Sequence, residues 1–520
     1  NFILLMEKLL RQFIFVLIIS VACCLRSKRR AGILMHISSL PSNYGIGTLG
    51  DEALRFVDFL INVKQRVWEI LPIGPTVYGD SPYQSFSTFA GNPYFIDLDY
   101  LIKEQLLTEG EVKGLNWGDD PTKVDYALMF KQRFEVLYKA FQRFRPLNEY
   151  FLFINMNREW VDDYALFMAL KKHFNYKPWV EWPEDLKLHK ESALKKYRLK
   201  LQYEIRFFLF LEFKFQEQLK RLRDYAFYKH IQIVGDIPFY PPLDSADVWA
   251  NQGLFQIDEN GNLLAQGGAP PDSFNSEGQV WGNPLYNWEK MKENNYQWWV
   301  KRIFVASQRF STVRIDHFIG LESYWSIPPK EKDARNGRWI KGPDRDFIHV
   351  LHKLLPYVDF IAGDLGYISP EVKELLEYSK YPGSKILQYA FDSREKEDYL
   401  PHTYIANSVC YTGMHDHNTL RGWEKELSKE DRKLAEEYLG LNPGDDLVWP
   451  MIRAGLASVS KIFIAPMQDY LELDEDARMN RPGINDGNNW RWRCKKEAIN
   501  NDLAWKLQEL VEVYGRYDLS

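Results

Sequence analysis

Residues Thr312-Val-Arg-Ile-Asp-His-Phe318 are the clearest indication of the fold, because they form an apolar-alternating run that ends in a carboxylate. In an extended strand, side chains two residues apart lie on the same face, so Arg314 and Asp316 are predicted to be neighbours. The opposite charge of Arg314 is expected to keep Asp316 ionised. The stretch therefore predicts a strand whose carboxyl end presents a ready nucleophile.

The same pattern recurs along the chain. Apolar runs at residues 231–236, 358–364 and 408–416 also end in carboxylates, and each is followed by a loop and a helix-like segment. A single aspartate at a strand end is commonly a turn or helix-cap residue. Several with this spacing predict a (β/α)8 TIM barrel, which gathers functional groups at the carboxyl ends of its strands.

Length and composition are compatible with this barrel. The chain has 520 residues, 45% of them hydrophobic, which allows a large core. Length alone suggests about three domains, but one barrel with insertions fits as well. Basic and acidic residues, 66 and 71, are mixed throughout and give a formal net charge of -5. Because no basic stripe indicates nucleic acid, we expect a neutral partner.

The chain divides into a leader at 1–27 and a catalytic barrel at 28–520, with a helix-rich insertion around 100–225 and active-site loops around 240–288. The apolar run at 13–25 is short for a membrane span and suits a signal peptide. An upstream stretch with no role in the fold is an equal alternative. A membrane is expected to be involved only if residues 1–27 act as a retained anchor.

The four cysteines form no disulfide framework and show no metal-ligand spacing. Free thiols suit a reducing compartment, so we expect a cytoplasmic protein. Because the cysteines lack metal-ligand spacing, we expect no metal, and we also expect no cofactor. Export or membrane tethering through residues 1–27 is the alternative.

The loops between residues 236 and 288 are rich in Gly, Pro, Trp, Asp and Asn. This combination supplies rigid turns, flat aromatic faces and short hydrogen-bonding side chains, which suit a sugar. Long irregular loops in compact domains are usually functional. An ordered loop that binds nothing is the alternative interpretation.

With these elements, the chain resembles the 4-alpha-glucanotransferases, the amylomaltase or disproportionating-enzyme family of the alpha-amylase clan. The resemblance runs from about Arg30 to Trp492. Its most specific motifs are His36-Ile-Ser-Ser-Leu-Pro-Ser, Asp80-Ser-Pro-Tyr-Gln-Ser, Gly278-Gln-Val-Trp-Gly-Asn-Pro-Leu-Tyr, Arg314-Ile-Asp-His-Phe and Arg478-Met-Asn-Arg-Pro-Gly483.

The resemblance implies a (β/α)8 barrel with inserted helical and loop subdomains. It also implies transfer of an alpha-1,4-glucan segment to glucose or another alpha-glucan, with retention of configuration. In this family the nucleophile corresponds to Asp316, and the residue that stabilises the transition state corresponds to Asp416, next to His415. Asp236 corresponds to the residue that supports the sugar at the scissile bond. Arg314 is expected to keep the nucleophile charged.

Four aromatic residues are our candidates for sugar-stacking surfaces: Tyr83, Phe274, Trp281 and Tyr286. Aromatic residues make up 15% of the chain, and most of them are expected to pack in the core.

The position of the general acid and base departs from the family. The family reads Ala-Glu-Asp-Leu-Gly there, whereas this chain reads Ala362-Gly363-Asp364-Leu365-Gly366. Glycine can neither protonate a leaving oxygen nor activate an acceptor. Asp364 is expected to point to the opposite face. Nearby, Met414-His415-Asp416-His417-Asn418 keeps only the His-Asp pair of the family's Thr-His-Asp-Asn-Asp. We therefore expect the correct fold with strongly reduced turnover.

Two other functions are compatible with the sequence. One is an amylase-like hydrolase, which passes the glucan segment to water. The other is a non-catalytic alpha-glucan-binding protein, which the glycine at position 363 favours and the intact Asp236, Arg314, Asp316 and Asp416 disfavour.

Overall fold

The computed structural model describes residues 29–517 except 78, 272–274, 393–398 and 485. The predicted leader and Phe274 lie outside the described residues. The strands found in the described part of the chain are β1 Arg30–Leu34, β2 Val67–Ile70, β3 Gln232–Ile237, β4 Gln266–Ala269, β5 Gln279–Pro284, β6 Thr312–Ile315, β7 Ser323–Ile327, β8 Arg338–Lys341, β9 Asp359–Ala362, β10 Gly383–Ile386, β11 Ser408–Tyr411 and β12 Ile462–Pro466.

Eight strands form a parallel sheet in the order β10-β11-β12-β1-β2-β3-β6-β9. The two edges of this sheet meet at β9 and β10. There the Ala362 amide donates to the Pro382 carbonyl at 3.0 Å, and the Ser384 hydroxyl donates to the Ala362 carbonyl at 2.9 Å. The sheet is thus a nearly closed barrel, and the predicted fold class is confirmed.

The barrel strands form because they can be buried on both faces. All residues of β6, β11 and β12 are buried, as expected for parallel strands covered by helices outside and by side chains inside. Gly235 in β3 is required for close packing, since a Cβ there would lie 2.2 Å from the ring of Phe310. The polar side chains Asp236 and Arg314 point into this enclosed interior.

Helices surround the barrel and fill its connections. Their bounds in the described residues are α1 Asp51–Asn62, α2 Leu98–Lys103, α3 Glu109–Lys113, α4 Tyr126–Leu128, α5 Phe134–Arg143, α6 Asn148–His173, α7 Glu184–Lys187, α8 Glu191–Lys200, α9 Gln202–Tyr228, α10 Ala246–Ala250, α11 Trp288–Glu293, α12 Gln297–Ser307, α13 Asp344–Leu354, α14 Pro370–Ser379, α15 Leu420–Glu426, α16 Lys429–Leu439, α17 Val448–Ala457, α18 Met467–Tyr470 and α19 Asn501–Val513. Helices α2 to α9 all lie between β2 and β3, and the two longest, α6 and α9, pack against each other.

A second, antiparallel sheet has the order β5-β4-β7-β8. Strands β4 and β5 belong to the connection between β3 and β6, whereas β7 and β8 follow β6 in the chain. The sheet therefore joins the loops around residues 240–288 to the segment that directly follows Asp316. This arrangement places the aromatic loops beside the carboxyl end of β6.

No helix within the described residues is long and apolar enough to cross a membrane. In the same part of the chain, His, Cys, Asp and Glu side chains form no group of three or more that is arranged to hold a metal ion. Cys410 and Cys494 are both free and buried.

Candidate active site

Arg314 is the centre of a charged network at the carboxyl ends of β3 and β6. Its guanidinium is buried, with 2% of the side chain exposed. Its Nη1 atom donates to Asp236 Oδ2 at 2.7 Å and to Asp316 Oδ1 at 3.1 Å. Arg314 and Asp316 are thus neighbours, as the strand periodicity predicted.

The two carboxylates on Arg314 differ in their access to solvent. The Asp236 side chain is fully buried, whereas 32% of the Asp316 side chain is exposed. Burial raises the pKa of Asp236, and the charge of Arg314 opposes that rise. Of the two carboxylates, only Asp316 is therefore open to solvent and to a ligand.

A second chain of hydrogen bonds connects this pair to Asp416. The Tyr83 hydroxyl donates to Asp236 Oδ2 at 2.6 Å and lies 3.2 Å from His415 Nδ1. His415 Nε2 lies 3.4 Å from Asp416 Oδ1. Since the tyrosine O–H donates to Asp236, the tyrosine oxygen accepts a hydrogen bond from the Nδ1–H of His415. Protonated His415 then donates from both ring nitrogens.

The charged groups hydrogen-bonded to His415 and those near it favour its protonated form. Burial lowers the pKa of His415, but the charge and hydrogen bond of Asp416 outweigh it, so the pKa is raised above its usual value. Burial likewise raises the pKa of Asp416, yet His415 and the Asn480 amide bring it well below the usual range. Asp416 is 46% exposed and remains a carboxylate that faces the site.

Asn480, Arg478 and Trp490 contribute to the site, although none of them was predicted to be a site residue. Asn480 Nδ2 donates to Asp416 Oδ1, and Arg478 Nη2 donates to the Asp416 carbonyl, both at 2.6 Å. The Trp490 ring lies 5.8 Å from the rings of Tyr83 and His415. Arg478 and Asn480 belong to the motif Arg478-Met-Asn-Arg-Pro-Gly483 that carried the resemblance, and that membership was the available signal. Trp490 lies outside that motif, within the stretch to Trp492 over which the resemblance runs.

Glu69 of β2 lies in the barrel interior and was also missed. Its Oε2 accepts a hydrogen bond from the Tyr411 hydroxyl at 2.9 Å, and its Oε1 has no hydrogen-bond partner within the described residues. Burial raises the pKa of Glu69 to about 7, against the opposing charge of Arg314. This group is therefore partly protonated at neutral pH, deep in the barrel.

Gly363 lies directly after β9, next to Arg314. A Cβ at this position would lie 2.8 Å from the Ile315 carbonyl oxygen and 2.9 Å from Arg314 Nη2. The side chain expected here in the family would thus project towards Arg314. Asp364, in contrast, accepts the Ser384 amide at 2.6 Å on Oδ1. Its carboxyl group is turned towards β10.

The four proposed stacking residues have different environments. Tyr83 and Trp281 lie at the site, and the Trp281 ring is 4.9 Å from the ring of His317, the residue after Asp316. The assignment of Tyr286 as a stacking surface is wrong, because its side chain is fully buried. Its hydroxyl donates to the Phe239 carbonyl at 2.5 Å, and the ring packs inside the loop layer. Phe274 is outside the described residues.

Carboxylates at the strand ends of a barrel, with aromatic rings beside them, are typical of barrel enzymes that process sugars. Comparisons with known proteins agree with this class. The family model described as 4-alpha-glucanotransferase matches residues 35–499. A 4-alpha-glucanotransferase of Clostridium butyricum is 44% identical over 486 residues, covering 93% of this chain and 100% of that protein.

Two streptococcal proteins are also similar. A 4-alpha-glucanotransferase of Streptococcus pneumoniae is 44% identical over 494 residues, covering 94% of this chain and 98% of its own. The solved amylomaltase from Streptococcus agalactiae in complex with acarbose is 38% identical. It has a TM-score of 0.91 and covers 94% of this chain and 100% of its own. The chain belongs to the 4-alpha-glucanotransferase family.

Proposed function

We propose that the chain transfers a segment of an alpha-1,4-glucan to the 4-hydroxyl of glucose or of another alpha-glucan by a retaining double displacement. Maltooligosaccharides, amylose and glycogen are the proposed glucans, and glucose is a proposed acceptor. The observation that carries this proposal is the Arg314 guanidinium, which holds the open Asp316 and the buried Asp236 at 3.1 and 2.7 Å.

In this mechanism Asp316 attacks the anomeric carbon and forms a covalent glycosyl-enzyme. Arg314 and Asp236 fix its position, since a small displacement of a reacting group is costly. Asp416 stabilises the positive charge that develops at the anomeric centre, and with His415 it binds sugar hydroxyls. Tyr83 and Trp281 provide aromatic faces for the rings of donor and acceptor.

The proposal includes slow turnover on natural glucans. A retaining enzyme needs a second carboxyl group to protonate the leaving oxygen and later to deprotonate the acceptor. Position 363 has none, and the absence of a general acid costs about 10²- to 10⁴-fold in rate. A glucosyl leaving group needs its proton, so we expect the upper part of that range.

Maltotriose as the only substrate tests these statements together. We expect slow release of glucose and the appearance of chains longer than maltotriose, because transfer lengthens one product and hydrolysis does not. The Clostridium butyricum relative, assayed in parallel, provides the reference rate. Equal rates for the two proteins would refute the impairment, and glucose and maltose without longer chains would indicate a hydrolase.

We also propose that the protein works in the cytoplasm. The support is chemical: Cys410 and Cys494 are free thiols, and free thiols persist in a reducing compartment. Fractionation of cells that make the whole protein, with antibody detection, tests this location. Recovery in the membrane or the exported fraction would contradict it.

A further inference from the structure

The loop 412–419 connects β11 to α15 and carries both His415 and Asp416. These two side chains meet within it, with His415 Nε2 at 3.4 Å from Asp416 Oδ1. Loops are more mobile than the strands and helices that they connect. The contact between the two charged groups therefore depends on what fixes the ends of this loop.

Asp469 holds both ends of the loop. It lies in α18, directly after β12, the strand next to β11, and 1% of the residue is exposed. At the start of the loop, the Thr412 hydroxyl donates to Asp469 Oδ2 at 2.6 Å. Directly after the loop, the amide of Leu420, the first residue of α15, donates to Asp469 Oδ1 at 2.8 Å. One buried carboxyl group thus ties the two ends of the loop together.

The chemistry of the two donors explains why a carboxyl group serves here. A backbone amide can only donate, so Leu420 needs an acceptor oxygen, whereas the Thr412 hydroxyl can donate or accept. A carboxyl group meets both needs in either protonation state. Burial raises the pKa of Asp469 to about 7, and the hydrogen bonds from Thr412 and Leu420 oppose that rise. Both hydrogen bonds therefore persist through the neutral pH range in which this group titrates.

Helix α18 is also tied to the segment that contacts Asp416 from another side. Gln468 Nε2 donates to the Ala477 carbonyl at 3.2 Å. The next residue, Arg478, donates to the Asp416 carbonyl, and Asn480 Nδ2 donates to Asp416 Oδ1, both at 2.6 Å. Two neighbouring residues of α18 thus anchor the two segments that meet at Asp416.

We propose that Asp469 is a positioning residue, which sets the contact between His415 and Asp416 by fixing both ends of the loop 412–419. The consequence for catalysis rests on the proposed function, in which Asp416 stabilises positive charge at the anomeric centre. A displacement of about 1 Å, caused by a change far from the chemistry, can cost about 10²-fold in rate. Loss of the hydrogen bond at one end of the loop should therefore slow the reaction without removing any group from the site.

Thr412→Val tests this role, because it removes the hydroxyl and keeps the shape of the side chain. The substrate is alpha-maltosyl fluoride, whose fluoride departs without a proton and so bypasses the glycine at position 363. We expect kcat for fluoride release to fall about 10- to 10²-fold. Thr412→Ser retains the hydroxyl and should restore kcat.

An NMR titration of the His415 ring reports the contact without any turnover. Burial lowers the pKa of His415, whereas the charge and hydrogen bond of Asp416 raise it above its usual value. A displaced Asp416 raises it less, so we expect a lower His415 midpoint in Thr412→Val and the parental midpoint in Thr412→Ser.

The chain offers a matched control outside the site. The Thr48 hydroxyl donates to Asp97 Oδ2 at 2.6 Å, and Asp97 Oδ1 accepts the amide of Tyr100 in α2 at 3.0 Å. Thr48 and Thr412 are both fully buried, so Thr48→Val removes an equivalent hydrogen bond. We expect both valine variants to unfold at lower denaturant concentration, with kcat and the His415 midpoint changed only in Thr412→Val.

The possible results separate the role of Asp469 from the proposed function. Parental kcat and an unchanged His415 midpoint in Thr412→Val would show a purely structural role and overturn the proposal. Equal losses of kcat in Thr412→Val and Thr48→Val would overturn it too, since general destabilisation would then be the cause. Absence of fluoride release from the unaltered chain would remove the proposed function, and the His415 midpoints would still decide the positioning. If Thr412→Val fails to fold, the same comparison is made between Thr412→Ala and Thr48→Ala.

Discussion

Strands β6 and β9 are neighbours in the barrel, but their carboxyl ends present very different chemistry. The end of β6 carries Arg314 and Asp316, paired with each other and anchored to Asp236. The end of β9 carries Gly363, and its next residue bonds to β10 instead of the site. Asp316, the proposed nucleophile, is thus held by charged groups on β3 and β6, and no carboxyl group on β9 takes part in these contacts. In the proposed mechanism, attack by Asp316 can therefore remain intact while protonation of the leaving oxygen and activation of the acceptor are impaired.

The largest effect is expected from removing the charge at the end of β6. Asp316→Asn keeps the shape of the side chain but removes the proposed nucleophile, and we expect fluoride release from alpha-maltosyl fluoride to fall at least about 10⁴-fold. Mass spectrometry of the peptide around residue 316 should show no adduct. Asp364→Asn is the matched control, with the same change at the end of the neighbouring strand β9. A similar loss in that variant would show that Asp364 takes part in the chemistry.

A glutamate at position 363 would give the end of β9 a carboxyl group, as Asp316 does at the end of β6. We expect Gly363→Glu to raise maltotriose turnover by about 10²- to 10⁴-fold. The Ile315 carbonyl and Arg314 must both shift, because a Cβ at position 363 would lie 2.8 Å from the Ile315 oxygen and 2.9 Å from Arg314 Nη2. Gly363→Gln has the same shape without an acid and should show no gain. Equal rates in the Glu and Gln variants would discredit the assignment of position 363.

A smaller effect is expected at the end of β11. Asp416→Asn removes the charge that we propose stabilises the transition state, and we expect maltosyl fluoride turnover to fall about 10²-fold. The same change should lower the pKa of His415, since the charge and hydrogen bond of Asp416 raise it above 6.5 in the folded chain. An NMR titration of the His415 ring measures this shift, and an unchanged midpoint would contradict the pairing.

The directions of the two pKa shifts define the pH range in which the pair of His415 and Asp416 stabilises the fold. His415 has a raised pKa, so its contribution to stability is complete below pH 6.5 and is lost as pH rises through the folded value. Asp416 has a lowered pKa, so its contribution is complete above pH 3.8 and is lost as pH falls through the folded value. The difference in unfolding free energy between the parent and Asp416→Asn should therefore be largest between these two pH values.

The sequence predicted the parts of the molecule that follow from local periodicity. Apolar runs ending in carboxylates were enough for the barrel, and the two-residue spacing was enough for the contact between Arg314 and Asp316. The turned-away Asp364 also follows from alternation along a strand. Each of these features depends only on the order of residues within one strand-forming segment.

Contacts between distant segments were not predictable in this way. Asn480 meets Asp416 across 64 positions, and Glu69 meets Tyr411 across 342. No periodicity within either segment encodes such a pairing. The error at Tyr286 has the same origin, since composition identifies an aromatic loop but does not say which rings face inward.

The smallest effects are expected from substitutions of the two loop aromatic residues Tyr286 and Trp281. Tyr286→Phe removes the hydrogen bond to the Phe239 carbonyl, which still accepts from Arg302 Nη1 at 3.1 Å. We expect a loss of about 0.5–1.5 kcal/mol in unfolding free energy, with KM for maltosyl fluoride unchanged. Trp281→Ala, at the half-buried ring beside His317, should instead raise KM about 3- to 10-fold. Denaturant unfolding and steady-state kinetics separate the two. A raised KM in Tyr286→Phe would contradict this expectation. It would mean that the buried Tyr286 ring affects substrate binding through the residues packed on it.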